Sequence, residues 1–218
     1  MKTKQSGFTL IEIAIVLVII GLLLGGVLKG QELINSAKVK NLATDFKNVP
    51  VFIYGYQDKY KALPGDDLKA TTHLSATTGI TITNGDGNGV IDGNWNAASG
   101  ESFQFWQQVR LAGFAPGSTD TASGDYLPTN AVGGKIGITN SSATNNPITG
   151  PTALKGSYIV CSDAIAGKFA KQLDTTLDDG DTATGSMMVT TAGTASGGTA
   201  IATANINDDT TYLVCMGF

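Results

Sequence analysis

The N-terminal apolar run constrains this chain more than any other stretch. From residue 8 to residue 28 the only charged side chain is Glu12. About 21 residues in a helix, at 1.5 Å each, just cross the hydrocarbon core of a bilayer. A cleaved secretion signal would have a shorter apolar core and a small-residue cleavage site, whereas this run continues into VLKGQELINSAKVK. The run therefore predicts a retained helix that can span a membrane.

Glu12 is the unusual residue of this run. An ionised carboxylate inside an apolar helix is costly and usually has a partner. Lys2 and Lys4 are weak candidates for that partner. A cut between Gly7 and Phe8 would instead leave a new α-amino group one helical turn before the glutamate, on the same face. The alternative is a plain signal anchor, whose glutamate lies near the lipid headgroups and needs no partner.

The first thirty residues resemble a known export signal. Lys2 and Lys4 form a short basic leader before Gly7 and the string GFTLIEIAIVLVIIG. This combination is similar to the class III signal of type IV prepilins and of the pseudopilins of type II secretion. The resemblance implies that a prepilin peptidase cleaves after Gly7, that the Phe8 amine is methylated, and that the helices pack into a filament core. Glu12 would then meet the Phe8 amine of its own or a neighbouring subunit during assembly.

The resemblance also implies a cellular route. The precursor would lie in the bacterial inner membrane, where an assembly machinery would receive it. The mature protein would end in an extracellular pilus or in a periplasmic pseudopilus.

The chain divides into four predicted segments. They are a leader at 1–7, a transmembrane and filament-core helix at 8–28, an amphipathic helix half at 29–63, and a globular head at 64–218. Apolar residues at spacings of four and three place one face of the amphipathic half against the head: Leu42, Phe46, Val49, Ile53, Tyr56 and Tyr60. Pro50 removes a backbone donor and predicts a kink, or a break between two helices. Pro64 and Gly65 end the helical pattern.

The head alternates short regular stretches with turn-forming residues. Helical spacing predicts one short helix in ESFQFWQQVRLAG, ended by Gly113, and another in AIAGKFAKQLDTTL, where residues at steps of four are Ile165, Phe169, Leu173 and Leu177. Strands are predicted in KIGIT, SYIVC, SMMVTT, TAIATA and TTYLVC. The predicted fold class is α+β and type IV pilin-like: a long N-terminal helix, apolar in its first half, packs against a small antiparallel sheet in the head. Trp95 and Trp106 are predicted core residues, with sugar binding as the alternative.

The stretch NGDGNGVIDGN, residues 84–94, has a metal-binding pattern. Its spacing copies positions 1, 3, 5, 6, 7 and 9 of an EF-hand loop, which are filled here by Asn84, Asp86, Asn88, Gly89, the Val90 carbonyl and Asp92. Position 12, normally a bidentate glutamate, is Trp95, and we expect Glu101 to replace it. An acidic residue just ahead of an aromatic helix resembles the arrangement in the large-headed prepilins. We predict a calcium site within residues 84–101, with a Kd on the order of 10⁻⁴ to 10⁻³ M. The alternative is an Asx- and Gly-rich turn that binds nothing.

Other candidate sites are weaker. Asp178, Asp179 and Asp181 could bind a cation, but a solvated turn is the expected interpretation. His73 is the only histidine, and we expect it in a surface loop. The sequence lacks a nucleotide loop, a G-x-S-x-G elbow and an H-E-x-x-H helix, which predicts a structural protein rather than an enzyme. With a net charge of -4 and Arg110 as the only arginine, nucleic-acid binding is not expected.

Cys161 and Cys215 are the only cysteines, and each ends an apolar strand-like run. In an exported head we predict that they form one disulfide, which closes a loop of about 55 residues and contributes roughly 4 kcal/mol. The alternative is two buried thiols. The C-terminal cysteine also resembles one border of the disulfide-bounded loop near the end of many type IV pilins. Neither cysteine lies at metal-ligand spacing from a histidine or another cysteine.

These features predict a structural subunit of a type IV pilus-like filament, built from copies of itself alone or together with other subunits. A pseudopilin of a type II secretion system is the second interpretation. A third, from another class of protein, is a membrane-tethered binding domain that does not polymerise.

Overall fold

The computed structural model describes residues 9–76 and 78–218, and the chain divides into two compact units, Met1–Lys38 and Val39–Phe218. Helix α1 (Leu10–Tyr60) belongs to both. The second unit adds helices α2 (Ala70–His73), α3 (Glu101–Leu111) and α4 (Gly167–Leu177), and a short 3-10 helix at Thr203–Asn205. Its strands are β1 (Ile136–Thr139), β2 (Ile148–Gly150), β3 (Ile159–Ala166), β4 (Met187–Thr191), β5 (Gly198–Thr199) and β6 (Thr211–Gly217).

Helix α1 continues through Pro50 without a break. Of the two outcomes predicted at this proline, the separation into two helices is therefore wrong. Proline removes a single backbone donor, and Pro50 is buried together with Val49 and Ile53 on the face that the spacing predicted. The helix ends at Tyr60 rather than residue 63, because Lys61 adopts a left-handed conformation with φ 55°.

The head is built on a four-stranded antiparallel sheet with strand order β1-β3-β6-β4. Strands β2 and β5 form a separate parallel pair. Alternate residues of the four-stranded sheet enter two different cores, so that both faces are buried. One core joins the sheet to the helices and includes Leu42, Phe46, Phe105, Val160, Leu173 and Val214. The other lies beneath the connecting loops and includes Trp95, Ile148, Leu154, Cys161, Leu213 and Cys215. The α+β fold with a long helix against a small antiparallel sheet is confirmed.

Cys161 and Cys215 form a disulfide, as the sequence predicts. The two residues face each other in the register of β3 and β6, and both are fully buried. The bond therefore links the two central strands of the sheet on the face turned towards the loops.

Two of the predicted elements differ in the structure. Helical spacing predicts Ile165 in a helix, but it pairs with Tyr212 at the end of β3, after a register shift in which Ala164 takes φ 56°. Its helical spacing from Phe169 is accidental, because α4 begins only at Gly167. The stretch TAIATA, residues 199–204, is not a strand beyond Thr199. The amides of Ala200 and Ile201 donate to Gly150 O and Val189 O, which belong to two different strands, so they do not form one continuous ladder.

Both tryptophans occupy the core, as predicted. Trp95 and Trp106 are each 3% exposed. The indole N–H of Trp95 donates to Thr194 O at 2.8 Å, which anchors the loop after β4 on the second core. Neither ring presents the exposed face that sugar stacking requires.

Candidate functional sites: the N-terminal helix and an acidic loop

The first half of α1 exposes its apolar side chains within its own unit. Leu10 is 92% exposed, and large aliphatic residues remain exposed as far as Ile34. Among the described residues α1 is the one helix whose length and composition are sufficient to cross a membrane. An apolar surface of this size needs a cover from outside the chain. The segment fits insertion of the precursor into a membrane.

Glu12 lies in the first turn of α1 and forms a capping box with Thr9. The Thr9 amide donates to Glu12 Oε2 at 2.8 Å, and the Thr9 hydroxyl donates to the same oxygen at 2.7 Å. The Glu12 amide donates in turn to the Thr9 hydroxyl oxygen at 3.3 Å. Sequence reasoning missed this role, although T-x-x-E before an apolar run is its recognised signature.

The cleavage site lies outside the described residues. Gly7 and Phe8 belong to that part of the chain, so cleavage after Gly7, methylation of Phe8 and pairing of its amine with Glu12 stay predictions. Among the described residues only Thr9 donates to Glu12, and it uses a single carboxylate oxygen. The geometry leaves Oε1 for a further donor.

An acidic cluster joins three segments of the head. Asp66 follows α1, Asp86 lies in the loop at 84–94, and Glu101 begins α3. One carboxylate oxygen from each lies within 4.8 Å of the others. Sequence reasoning identified Asp86 and Glu101 but missed Asp66, because only the folded chain brings the Leu-Pro-Gly-Asp turn against this loop. Three carboxylates at this spacing can hold a metal ion.

Backbone amides hold the three carboxylates in position. Glu101 bridges the loop, since Oε1 accepts the Asp86 amide and Oε2 accepts the Asp92 amide, both at 2.9 Å. Asp66 accepts the Asn88 amide on Oδ1 at 3.0 Å and the Gly89 amide on Oδ2 at 2.8 Å.

Gly85 brings the loop into contact with the chain after α1. A Cβ at this position would overlap the backbone of Asp66. Only glycine permits that approach.

The remaining predicted ligands serve the loop itself. Asn84 Oδ1 accepts the Thr71 amide at 2.9 Å, and Asn88 Oδ1 accepts the Val90 amide at 2.8 Å. Asp92 accepts from Asn88 Nδ2 at 2.9 Å and from Asn140 Nδ2 at 3.1 Å. These side chains stabilise the turn, and Asp92 does not belong to the group of three carboxylates.

The negative charges of the three carboxylates repel one another. Burial raises the pKa of Asp66; the amides of Gly89, Gly87 and Asn88 lower it, and its contact with the Asp86 side chain raises it again. Burial also raises the pKa of Glu101, and the amides of Asp92 and Asp86 offset part of that increase. The negative charges of Asp66 and Asp86 then add to it. None of the ion pairs found within residues 9–76 and 78–218 includes one of these three carboxylates. A bound cation would therefore relieve this repulsion.

His73 is part of the head rather than a free loop residue. It ends α2, and its Nδ1 lies 2.7 Å from Asp67 Oδ2. The same oxygen accepts the Tyr56 hydroxyl at 2.8 Å, and the histidine ring stacks on Tyr60 at 5.3 Å between centroids. The expectation of a surface loop was wrong, because this polar contact fastens α2 to the end of α1.

One comparison with known proteins gave a match. A family model described as the prokaryotic N-terminal methylation motif matches residues 2–28. Searches of curated proteins and of solved structures found no match. The matched residues include the apolar half of α1 and Glu12, and the motif points to a structural protein of the type IV pilin or pseudopilin kind. The chain carries the prokaryotic N-terminal methylation motif, which is the class III signal of type IV pilins and pseudopilins.

Proposed function

We propose that this chain is a prepilin, the precursor of a structural subunit in a type IV pilus-like filament. The observation that carries the proposal is that the methylation motif at residues 2–28 coincides with the exposed apolar first half of α1, in which Glu12 is the one charged residue. A prepilin peptidase cleaves after Gly7 and the new Phe8 amine is methylated. The helix then leaves the membrane and packs against its copies, which cover the same apolar side chains.

Glu12 acts in assembly. In a filament core of low dielectric, its carboxylate pairs with the Phe8 amine of a neighbouring subunit, where such a pair counts for more than in water. The Thr9 cap fixes the carboxylate and leaves Oε1 for that amine. The charge therefore sets the axial register between subunits.

Electron microscopy of cells that express an epitope-tagged copy tests the proposal. Label along surface filaments is the expected result, and label at filament tips would identify a minor subunit of the same structure. Label confined to the cell envelope would contradict the pilus assignment. Envelope label that depends on type II secretion components would favour a pseudopilin, and label without polymers would favour a tethered binding domain.

We also propose that the acidic loop binds calcium. Asp66, Asp86 and Glu101 supply the carboxylates, and their spread of up to 4.8 Å fits oxygens placed 2.3–2.6 Å from one calcium ion. Asp86 is exposed and leaves room for water ligands. The ion would join the chain after α1 to the start of α3.

Calorimetry on the full chain in detergent micelles tests this calcium site. Asp86→Ala should weaken calcium binding at least about tenfold, since it removes one of three charged ligands. The matched control is Asp125→Ala, because Asp125 is exposed and lies outside the cluster. Equal calcium binding by the two variants would leave the loop as a turn held by its own hydrogen bonds.

A further inference from the structure

A second acidic cluster lies at the C-terminal end of α4. Asp174 belongs to the last turn of the helix, Asp178 is its C-cap residue, and Asp179 follows. One carboxylate oxygen from each lies within 4.8 Å of the others. The sequence predicts a solvated turn at residues 178–181 and gives no sign that Asp174 belongs to it. This residue changes the interpretation of the whole turn.

Asp174 is a buried carboxylate without a hydrogen-bond partner. Its side chain is fully buried, and neither oxygen completes a hydrogen bond with any residue in the described parts of the chain. Burial raises the pKa of Asp174 to about 6; the nearby Gly180 amide lowers it, and the charges of Asp179, Asp178 and Asp181 raise it. Buried polar groups are normally paired, and a buried unpaired charge is among the most destabilising features that a core can contain.

The helix itself adds to the unfavourable charge. The C-terminal end of a helix carries a partial negative charge, which favours basic side chains there. The last turn of α4 contains no basic residue. Lys171, one turn earlier, pairs instead with Asp208 at 3.0 Å. Three carboxylates therefore meet at the negative end of a helix without a cation from the described part of the chain to balance them.

The other two carboxylates are held in fixed positions. Asp178 Oδ2 accepts the amides of Ser186 at 2.6 Å and Met187 at 2.8 Å, and Oδ1 accepts the Ser186 hydroxyl at 3.1 Å. Asp179 accepts the Asp181 amide on Oδ1 and the Thr184 hydroxyl on Oδ2, both at 2.9 Å. Each oxygen can accept more than one bond, so these contacts orient the carboxylates and still allow them to bind a cation.

We propose that Asp174, Asp178 and Asp179 form a second calcium site, independent of the loop at residues 84–101. The three oxygens have the spread that calcium requires, with metal–oxygen distances of about 2.3–2.6 Å. Asp179 is exposed and leaves the outer side of the ion open to water. The ion neutralises the buried carboxylate and joins the end of α4 to the start of β4, which Asp178 already contacts.

Thermal unfolding of the full chain in detergent micelles tests this site. All variants are made in an Asp86→Ala background, so that the contribution of the first loop is reduced and is the same in every comparison. The parent should bind calcium and gain roughly 3–6 °C in Tm at about 10 mM calcium if its Kd is about 1 mM. Asp179→Asn, a change at an exposed position, should remove most of that gain. Magnesium should give a smaller gain, because it demands shorter distances and stricter geometry.

Asp174→Asn distinguishes whether Asp174 is a calcium ligand or only a buried acid. In chelator this variant should unfold at the same or a higher temperature than its parent, because a buried charge has been removed. In calcium only the parent should gain in Tm, because the variant lacks one of the three ligands. A parent without any calcium-dependent gain would overturn the proposal, as would a gain that both variants retain. Neither result bears on the proposed calcium site at residues 84–101, because Asp86→Ala tests that site separately.

Discussion

The two halves of α1 use the same kinds of residues for opposite purposes. Ile19 is 51% exposed in the first half, whereas Ile53 is 1% exposed in the second, where the head covers it. The head of the same chain covers the second half, whereas the first half needs a bilayer or further copies of the helix to cover it. Apolar content alone therefore does not distinguish a core helix from an assembly helix. The difference lies in how often charged and polar positions interrupt the pattern: Glu12 is the one charged residue from residue 8 to residue 28, whereas such positions recur regularly after residue 28.

The largest effect is expected at the charge in the first half. Glu12→Gln keeps the capping box with Thr9, because glutamine serves in that motif as well as glutamate, but it removes the partner of the Phe8 amine. Leaving one buried charge unpaired costs about 3–5 kcal/mol, so the assembly constant should fall roughly 10²- to 4 × 10³-fold. Filament yield from cells, compared by shearing and immunoblotting, measures the change.

Thr9→Ala is the matched control for Glu12. It weakens the helix cap by about 0.5–2 kcal/mol and keeps the charge. Its filament yield should stay well above that of Glu12→Gln. If the two variants assemble equally, the glutamate acts through the cap and not through its charge.

The next effect concerns the covalent link inside the head. Replacing Cys161 and Cys215 together by alanine should destabilise the head by about 2–5 kcal/mol, since the bond restricts the unfolded chain. Urea unfolding of the full chain in micelles, followed by the fluorescence of the buried Trp95 and Trp106, measures this loss. Membrane association of the first half should not change. A head that unfolds at the same urea concentration with and without the bond would contradict the prediction.

The same substitution in both halves of α1 sharpens the comparison further. Ile53→Ala should cost about 2–5 kcal/mol of unfolding free energy, because it leaves a cavity in the core. Ile19→Ala should change that free energy by less than about 0.5 kcal/mol. Equal losses in the urea experiment would mean that the first half of α1 also takes part in the folding of the head.

The motif and the fold were predictable from the sequence because their signals are local. The basic leader, the apolar run and Glu12 lie within thirty consecutive residues, and the buried face of α1 follows from its spacing. Ile165 was misplaced because its pairing with Tyr212 depends on a bulge at Ala164 that no spacing reveals. Sheet pairing prevailed over helical periodicity at that point.

The acidic sites were only partly predictable. Asp86 and Glu101 follow from the spacing of the loop, but Asp66 comes from a turn some twenty residues earlier. Asp174 resembles an ordinary polar residue of a surface helix until the structure shows it fully buried. Asp66 joins its cluster by tertiary contact, which has no signature in a single sequence, whereas Asp174 is close to its partners in the sequence and only its burial could not be predicted.

Mass spectrometry of the mature protein from cells tests the central claim most directly. If residues 2–28 act as a class III signal, the mature chain should begin at Phe8 and carry one methyl group on its amine. Gly7→Leu should leave the full-length chain in the membrane, because the peptidase site no longer holds a residue without a side chain. A mature chain that retains Met1, or that begins far downstream of Phe8, would contradict the proposed function.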